Sequence, residues 1–436
     1  MPLTERVYRA AAAAAWLLAP AAARGGSKAA RGVRARRGAA AGLIEWARSE
    51  RDPARPLLWM HAPSVGEGLQ ARAVLDVLRA ARPDLQIVFT YFSPSAEALA
   101  ARMPADRSGP LPWDTDAEAG RAVRALCPSA LVFTKSDVWP VLSAVARATG
   151  ARTALIAAAM RPGSSRLRWP ARALLRPTLS ALDLCAVSAA EDVERLTAAG
   201  VPTAALHVSG DPGVDSAAAR AAGADPAARH LRPFCVPRRP TLVAGSTWPS
   251  DENVLLPAWA AVRASHPDVR LVIAPHEPTS DAVRMLESRL AAAGWRTSRL
   301  AEVEASGAAG DADAVVVDRV GVLAQLYTVA DVAWVGGGFH GAGVHSVLEP
   351  AAAGVPMLFG PRHRNASAAA PLLLVGAARA VLDAGDAAPA LAAWLDEPAA
   401  RMSAGRSGQS YIGTHLGASQ RTAEHVSRLI PVTSAR

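Results

Sequence analysis

Apolar residues in this chain come in short continuous runs. Each run closes on a cluster of glycine, proline or small polar residues and leads into a stretch with helical spacing. Such runs read as strands buried on both faces, and their alternation with helices reads as parallel βα units. In the first half they are 56–61 (PLLWMH), 85–90 (LQIVFT), 130–133, 153–159, 182–188 and the segment from 207. In the second half they are 241–244, 270–274, 314–317, 330–335 and 355–359. Helices are expected over 69–81, 189–199, 318–331 and 344–353, with the last near 389–394 and 422–429.

The two series are separated by an Ala- and Arg-rich stretch carrying Pro226, Pro233 and Pro237. The chain has 436 residues, too many for one ordinary core. The expected plan is an α/β fold of two Rossmann-like parallel-sheet domains facing a central cleft. Its parts are an N-terminal apolar and basic segment over 1–38, a first domain over 39–220, a linker over 221–239, a second domain over 240–415, and a C-terminal helix over 416–436 packing back across both. Ligands of such sheets bind beyond the carboxyl ends of the strands.

Composition changes the picture at three points. Cys127, Cys185 and Cys235 are few and scattered, which supports neither a disulfide framework nor a zinc site. The net charge is +9, yet aromatics are only 5% and no basic–aromatic run suggests base stacking. The positive charge instead gathers near the start, where the apolar run 8–23 is followed by Arg24, Lys28, Arg31, Arg34, Arg36 and Arg37. That run is short for a spanning helix and contains Pro20. A shallow anchor on an anionic membrane surface is preferred over a cleaved signal or an ordinary first helix, because the basic cluster follows the apolar run. Third, only Lys28 and Lys135 are lysine among 47 basic residues.

Four strand ends carry candidate chemistry. Gly336, Gly337 and Gly338 follow the run at 330–335, where close backbone N–H groups suit a phosphate. Glu349 in the helix beyond could accept from ribose hydroxyls, and a tight turn without a ligand is the alternative. Ser64, Gly66, Glu67 and Gly68 read as a turn after 56–61. Glu67 there is either a partner of the helix dipole or a general base. Lys135, Ser136, Asp137 and Trp139 follow 130–133. Five arginines, at 161, 166, 168, 172 and 176, follow 153–159 and read either as a solvated face or as a site for an acceptor phosphate.

Taken together, HAPSVGEG at 61–68, SDVWP at 136–140, GSTWPSDE at 245–252, APHEP at 274–278 and the stretch 335–361 make the chain resemble the bacterial Kdo transferases. These are inverting glycosyltransferases of the GT-B fold that move 3-deoxy-D-manno-oct-2-ulosonic acid (Kdo) from CMP-Kdo onto lipid A precursors in lipopolysaccharide biosynthesis. The resemblance implies Glu67 as the general base. It places Ser64, Gly66, Lys135 and Asp137 on the acceptor or transition state. It implies donor contacts from Ser246, Thr247, Pro275, His276, Val320, Gly321, Val322, Gly337, Gly338, His345, Ser346, Val347, Leu348 and Glu349. It implies no metal and no cofactor beyond the CMP-activated sugar, a lipid A precursor as acceptor, no nucleic acid, and a monotopic place on the cytoplasmic face of the inner membrane.

The chain departs from the family's pattern at Lys135, usually acidic, at Gly213, usually basic, over 157–163, and at Ser346, where Asn is common. Lys135 is therefore read either as replacing the charge absent at 213 or as a surface lysine. The alternatives to Kdo transfer are a GT-B enzyme using another nucleotide sugar, a nucleotide-sugar epimerase, and a non-catalytic membrane-bound nucleotide-binding relative.

Overall fold

The computed structural model describes residues 3–25 and 28–432. Residues 1–2, 26–27 and 433–436, which belong to the expected anchor and C-terminal segments, lie outside the described residues. The chain divides into two units, Met1–Ser216 with Gly417–Arg436, and Ala217–Leu416.

The first unit is built on seven parallel strands: β1 (Leu57–Ala62), β2 (Gln86–Tyr91), β3 (Arg107–Pro110), β4 (Ala130–Thr134), β5 (Arg152–Ala158), β6 (Leu184–Val187) and β7 (Leu206–Val208). Their order is β3-β2-β1-β4-β5-β6-β7. Successive side chains of a strand point to opposite faces, so each apolar run feeds two cores. Leu57, Trp59, Leu131 and Phe133 enter one, with Leu43 and Trp46 of the helix Ala39–Ser49. Leu58, Met60, Val132 and Ile156 enter the other, with Val74, Leu75 and Leu78 of the helix Val65–Ala81. The register fixes this sorting: Trp59 lies beside Val88 on one side and Leu131 on the other.

The second unit repeats the plan with β8 (Thr241–Thr247), β9 (Arg270–Pro275), β10 (Thr297–Arg299), β11 (Ala314–Val316), β12 (Val332–Val335), β13 (Met357–Phe359) and β14 (Ala378–Ala380). The order is β10-β11-β9-β8-β12-β13-β14, again with parallel pairing. In each sheet the chain builds one side of its first strand and later resumes on the other, with β11 inserted between β9 and the edge strand β10 in the second. The reversal falls between β1 and β4 in the first sheet and between β8 and β12 in the second, the point at which open α/β sheets leave a crevice.

Four elements differ from the sequence expectation. The helix expected from 69 begins at Val65, so Glu67 lies in its first turn rather than in a preceding loop. The helix expected over 344–353 is only Leu348–Ala352. The one expected over 318–331 reduces to Leu323–Leu326 followed by the 3-10 turn Tyr327–Val329. The expected linker is partly helical: Pro212–Ala222 runs into it and Arg232–Cys235 lies within it.

The first helix, Leu3–Ala22, continues through Pro20 and is followed by Lys28–Arg36. Among the described residues no helix is long and apolar enough to cross a membrane. Both helices are tied to the first unit. The Tyr8 hydroxyl donates to Asp114 at 2.7 Å, and Arg9 pairs with Asp116. Arg36 is buried, donates to the Leu111 and Pro112 carbonyls, and lies over the rings of Trp113, Phe92 and Trp139. At the other terminus Asp215 accepts from the Gly417 and Ser419 amides, capping the helix Ala418–Arg428. Val426 and Ile430 then complete the core of the first unit.

Candidate functional site: two switch points

In the first unit, Ser64 and Glu67 follow β1 and stand as N-cap and third residue of the helix Val65–Ala81. The S-x-x-E spacing is that of a capping box, although here the two side chains bond each other: the Ser64 hydroxyl donates to Glu67 Oε2. Across the switch point, Lys135 follows β4, and its Nζ lies 3.2 Å from Glu67 Oε1. Burial raises the Glu67 carboxyl, but Lys135, the Ser64 hydrogen bond and the helix backbone outweigh it and hold the group below its usual range. Glu67 is 16% exposed and Lys135 48%. The charge thus stands at the edge of the crevice rather than beneath it. Gly66 has open space where a side chain would go, whereas a Cβ at Gly68 would strike Leu99.

Asp137 belongs to the same strand end. It accepts from Trp139 Nε1 at 3.1 Å and faces His61 Nε2 at 3.4 Å. His61 is fully buried, and its Nδ1 meets Thr90 Oγ1, which also accepts from Trp59. The structure therefore brings Ser64, Glu67 and Lys135 into one hydrogen-bonded group and sets Asp137 in a neighbouring one. Lys135 spends its charge on Glu67. The position it was expected to compensate, Gly213, donates its amide to Asp211, which Gln70 also engages. The arginines at 161, 168, 172 and 176 are exposed on the crossover from β5 to β6.

In the second unit the corresponding strand ends hold aromatic rings. Trp248 stacks on His340 at 3.9 Å and on His276 at 4.5 Å, and His276 stacks on His345. Trp248 Nε1 donates to His345 Nε2 at 3.1 Å. Burial, then His276 and His340, push the His345 imidazole down to about 4, which keeps that nitrogen an acceptor at neutral pH.

The glycine turn corrects an expectation. The amides of Gly337 and Phe339 do not stand open; both donate to the fully buried Asp251 carboxylate, which also accepts from the Trp248 amide. A Cβ at Gly336 would strike Ser246 O, at Gly337 the Gly343 carbonyl, and at Gly338 the Gly360 amide. These glycines let backbone pack on backbone, against β8 at Gly336, the following loop at Gly337 and the end of β13 at Gly338.

Of the other expected donor contacts, Thr247 is buried and donates to Glu252, while Pro275 ends β9. Val320 and Gly321 are exposed and Val322 precedes the helix Leu323–Leu326. Ser346 is exposed, Val347 points into the core, and Leu348 begins the short helix with Glu349. Glu349 pairs with Arg220 at 2.8 Å. Ser246, Thr247, His276, Gly337 and His345 cluster through these contacts. Trp248, His340 and Arg220 were not singled out from the sequence, although GSTWPSDE contains the first; Asp251 of that motif is legible there only as a residue at a helix start.

Backbone strain marks both switch points. Lys135 (φ 68°), Ala157 (φ 49°) and Ser246 (φ 55°) are left-handed, and none is glycine. The Lys135 amide donates to the Ile156 carbonyl, and β5 shifts register against β6 between Leu155 and Ala158. A second shift, between Gly245 and Thr247, accompanies Ser246.

Residues 32–215 match the family of 3-deoxy-D-manno-octulosonic-acid transferases (kdotransferases). The chain is 29% identical over 389 residues to the 3-deoxy-D-manno-octulosonic acid transferase of Bordetella pertussis, covering 84% of this chain and 85% of the relative. It is 28% identical to that of Chlamydophila psittaci, with 86% of each covered. The fold is shared with a putative UDP-N-acetylglucosamine 2-epimerase from Listeria monocytogenes (TM-score 0.61, 12% identity, 86% of this chain and 95% of that one). It is also shared with the UDP-GlcNAc 2-epimerase from Neisseria meningitidis (TM-score 0.59, 13% identity, 86% and 100%). With its first unit matching the family model and relatives of that one kind aligned along both units, the chain is similar to the Kdo transferases over most of its length.

Proposed function

We propose that this protein transfers Kdo from CMP-Kdo to a lipid A precursor, with inversion, using Glu67 as general base. The observation that carries the reading is Glu67 itself: a carboxylate kept charged, partly exposed, and aimed from a helix N-terminus at the switch point of the first sheet. A sugar hydroxyl of the acceptor gives its proton to Glu67 as its oxygen attacks the anomeric carbon of Kdo. The bond from that carbon to the phosphate oxygen breaks, and CMP leaves with the electron pair. The proton on Glu67 then passes to water. The second unit holds the nucleotide, with Ser246, Thr247, His276, His345 and Glu349 as its ligands; Glu349 must leave Arg220 to bond the ribose.

The membrane reading rests on the first helix, where Val7, Leu17 and Leu18 are exposed and the basic cluster follows. The proposed place is the cytoplasmic face of the inner membrane, with the helix lying on the anionic leaflet.

The test is incubation of wild type and Glu67→Gln with CMP-Kdo and a lipid A precursor, followed by product mass. Gln keeps the size and loses the base. Transfer is expected to fall by about 10²–10⁴-fold while CMP binding persists. Wild-type turnover in the variant would remove Glu67 from the mechanism. Turnover of a nucleotide sugar by wild type without any lipid acceptor would point to epimerisation.

A further inference from the structure

We propose that Lys135 is the positioning residue of Glu67: its ammonium, carried on a left-handed backbone at the end of β4, holds the carboxylate in place in the donor-free enzyme and neutralises it toward an incoming anionic sugar. The inference rests on Glu67 being the base.

The geometry makes the case. Lys135 and Glu67 come from the two strands that flank the switch point, so neither is placed by the other's local sequence. The backbone at Lys135 lies in the region that favours glycine, yet the residue is a long cation. That conformation is fixed by the hydrogen bond that the Lys135 N–H donates to the Ile156 carbonyl, beside the second left-handed residue, Ala157. Strain that surrounding structure holds in place, next to a charged group in a crevice, is the pattern of a functional constraint.

The chain has only one other lysine, so the choice of a point charge on a flexible stem over an arginine fork stands out. An ammonium grips one oxygen and releases it readily. Ser64 holds the second oxygen. Glu67 is thereby oriented from both sides without a bidentate clamp that a substrate hydroxyl would have to displace.

The charge also matters for what can enter. Kdo is a sugar acid, and its CMP ester adds a phosphate. A bare carboxylate at this strand end would repel both. With Lys135 beside it the pair carries no net charge.

The other groups near this end are engaged elsewhere. On the Lys135 turn, Asp137 is held by Trp139 and faces His61 of β1. On the helix of Glu67 itself, Gln70 donates to Asp211. From the elements packed against that helix, Glu97 is exposed to solvent and Arg421 donates to the Ser209 carbonyl.

Two variants separate charge from backbone. Lys135→Asn removes the charge but tolerates the left-handed conformation; Lys135→Arg keeps the charge. Two readouts are needed, both on the full-length protein. The first is NMR titration of the Glu67 carboxyl, using carbon-labelled glutamate without donor and assigned by its loss in Glu67→Gln. The second is the acid limb of kcat/KM.

In Lys135→Asn both midpoints are expected to rise by about one pH unit, a tenfold loss of rate at a pH on the limb, with KM for CMP-Kdo raised. In Lys135→Arg both are expected to stay near wild type. A Glu67 midpoint unchanged in Lys135→Asn overturns the inference, as does an equal rise in Lys135→Arg, since a purely structural role would not follow charge. If Glu67→Gln still turns over at the wild-type rate, the base assignment fails separately, and the carboxyl titration alone decides whether Lys135 governs Glu67.

Discussion

The two sheets share a plan and furnish their switch points in opposite ways. The first carries an ion pair at the crevice edge, Glu67 with Lys135, backed by a short hydrogen-bonded group. The second carries stacked rings, Trp248 with three histidines, over a backbone crowded enough to require glycine at 336–338. The Asp251 carboxylate at that point is spent on three amides of the protein itself. The difference follows from the task proposed for each half. A group that moves a proton must be charged, reachable and replaceable by solvent or substrate. A group that shapes a binding surface must be rigid, with its polar atoms already satisfied.

That contrast is open to direct attack. The sharpest is between Glu67→Gln and Asp251→Ala. The first should cut turnover by about 10²–10⁴-fold and change unfolding free energy by no more than about 1 kcal/mol, because the residue pairs with an exposed lysine. The second strips the acceptor from three amides around a fully buried carboxylate. It should cost about 3 kcal/mol, seen as a lower urea midpoint for the second unit. If Asp251→Ala unfolded no earlier than wild type, the rigid-scaffold description of that end would be wrong.

A smaller effect is expected from pH. His345 sits at about 4 in the folded protein, below the ordinary imidazole value. The unfolded chain therefore binds a proton between about 6.5 and 4 that the folded one refuses, and stability falls as pH drops through that window. The urea midpoint of the second unit should decline from pH 7 to 5 in wild type and decline less in His345→Asn. An identical decline in both would assign the loss to other groups. The smallest effect concerns the first helix. Leu17→Ser and Leu18→Ser together should weaken binding to anionic vesicles by about 1 kcal/mol per residue, leaving transfer to a detergent-solubilised acceptor unchanged. Undiminished vesicle binding would move the membrane contact elsewhere.

The strands were legible in the sequence because residues such as Leu57 to Met60 are buried on both faces and need no alternation to be recognised. Their division between two cores followed from the pleat alone. Helix starts were less legible. Gly66 and Gly68 argued for a turn, when Gly68 is small because Leu99 packs against it and the capping spacing of Ser64 and Glu67 already marked the start. The helix expected over 344–353 lost its first turn to tertiary hydrogen bonds, since the Val344 and His345 amides donate to Arg362 and Gly336. In the site, a glycine run has the same appearance whether a ligand or another strand approaches it. The left-handed residues Lys135, Ala157 and Ser246 left no trace at all, because none is the residue type that announces such a conformation. The pairing of Lys135 with Glu67 needed the strand order, which brings positions 68 residues apart to one point.

The helix Ala418–Arg428, capped by Asp215, carries a consequence for how the protein is made. On the ribosome the strands of the first sheet emerge early, but the side chains that seal one of its faces, Val426 and Ile430, follow only after the whole of the second unit. The second unit, contained within 217–416, has everything it requires before them. Folding order therefore need not follow chain order: the half expected to bind nucleotide can be finished while the half bearing Glu67 is still waiting for its final helix.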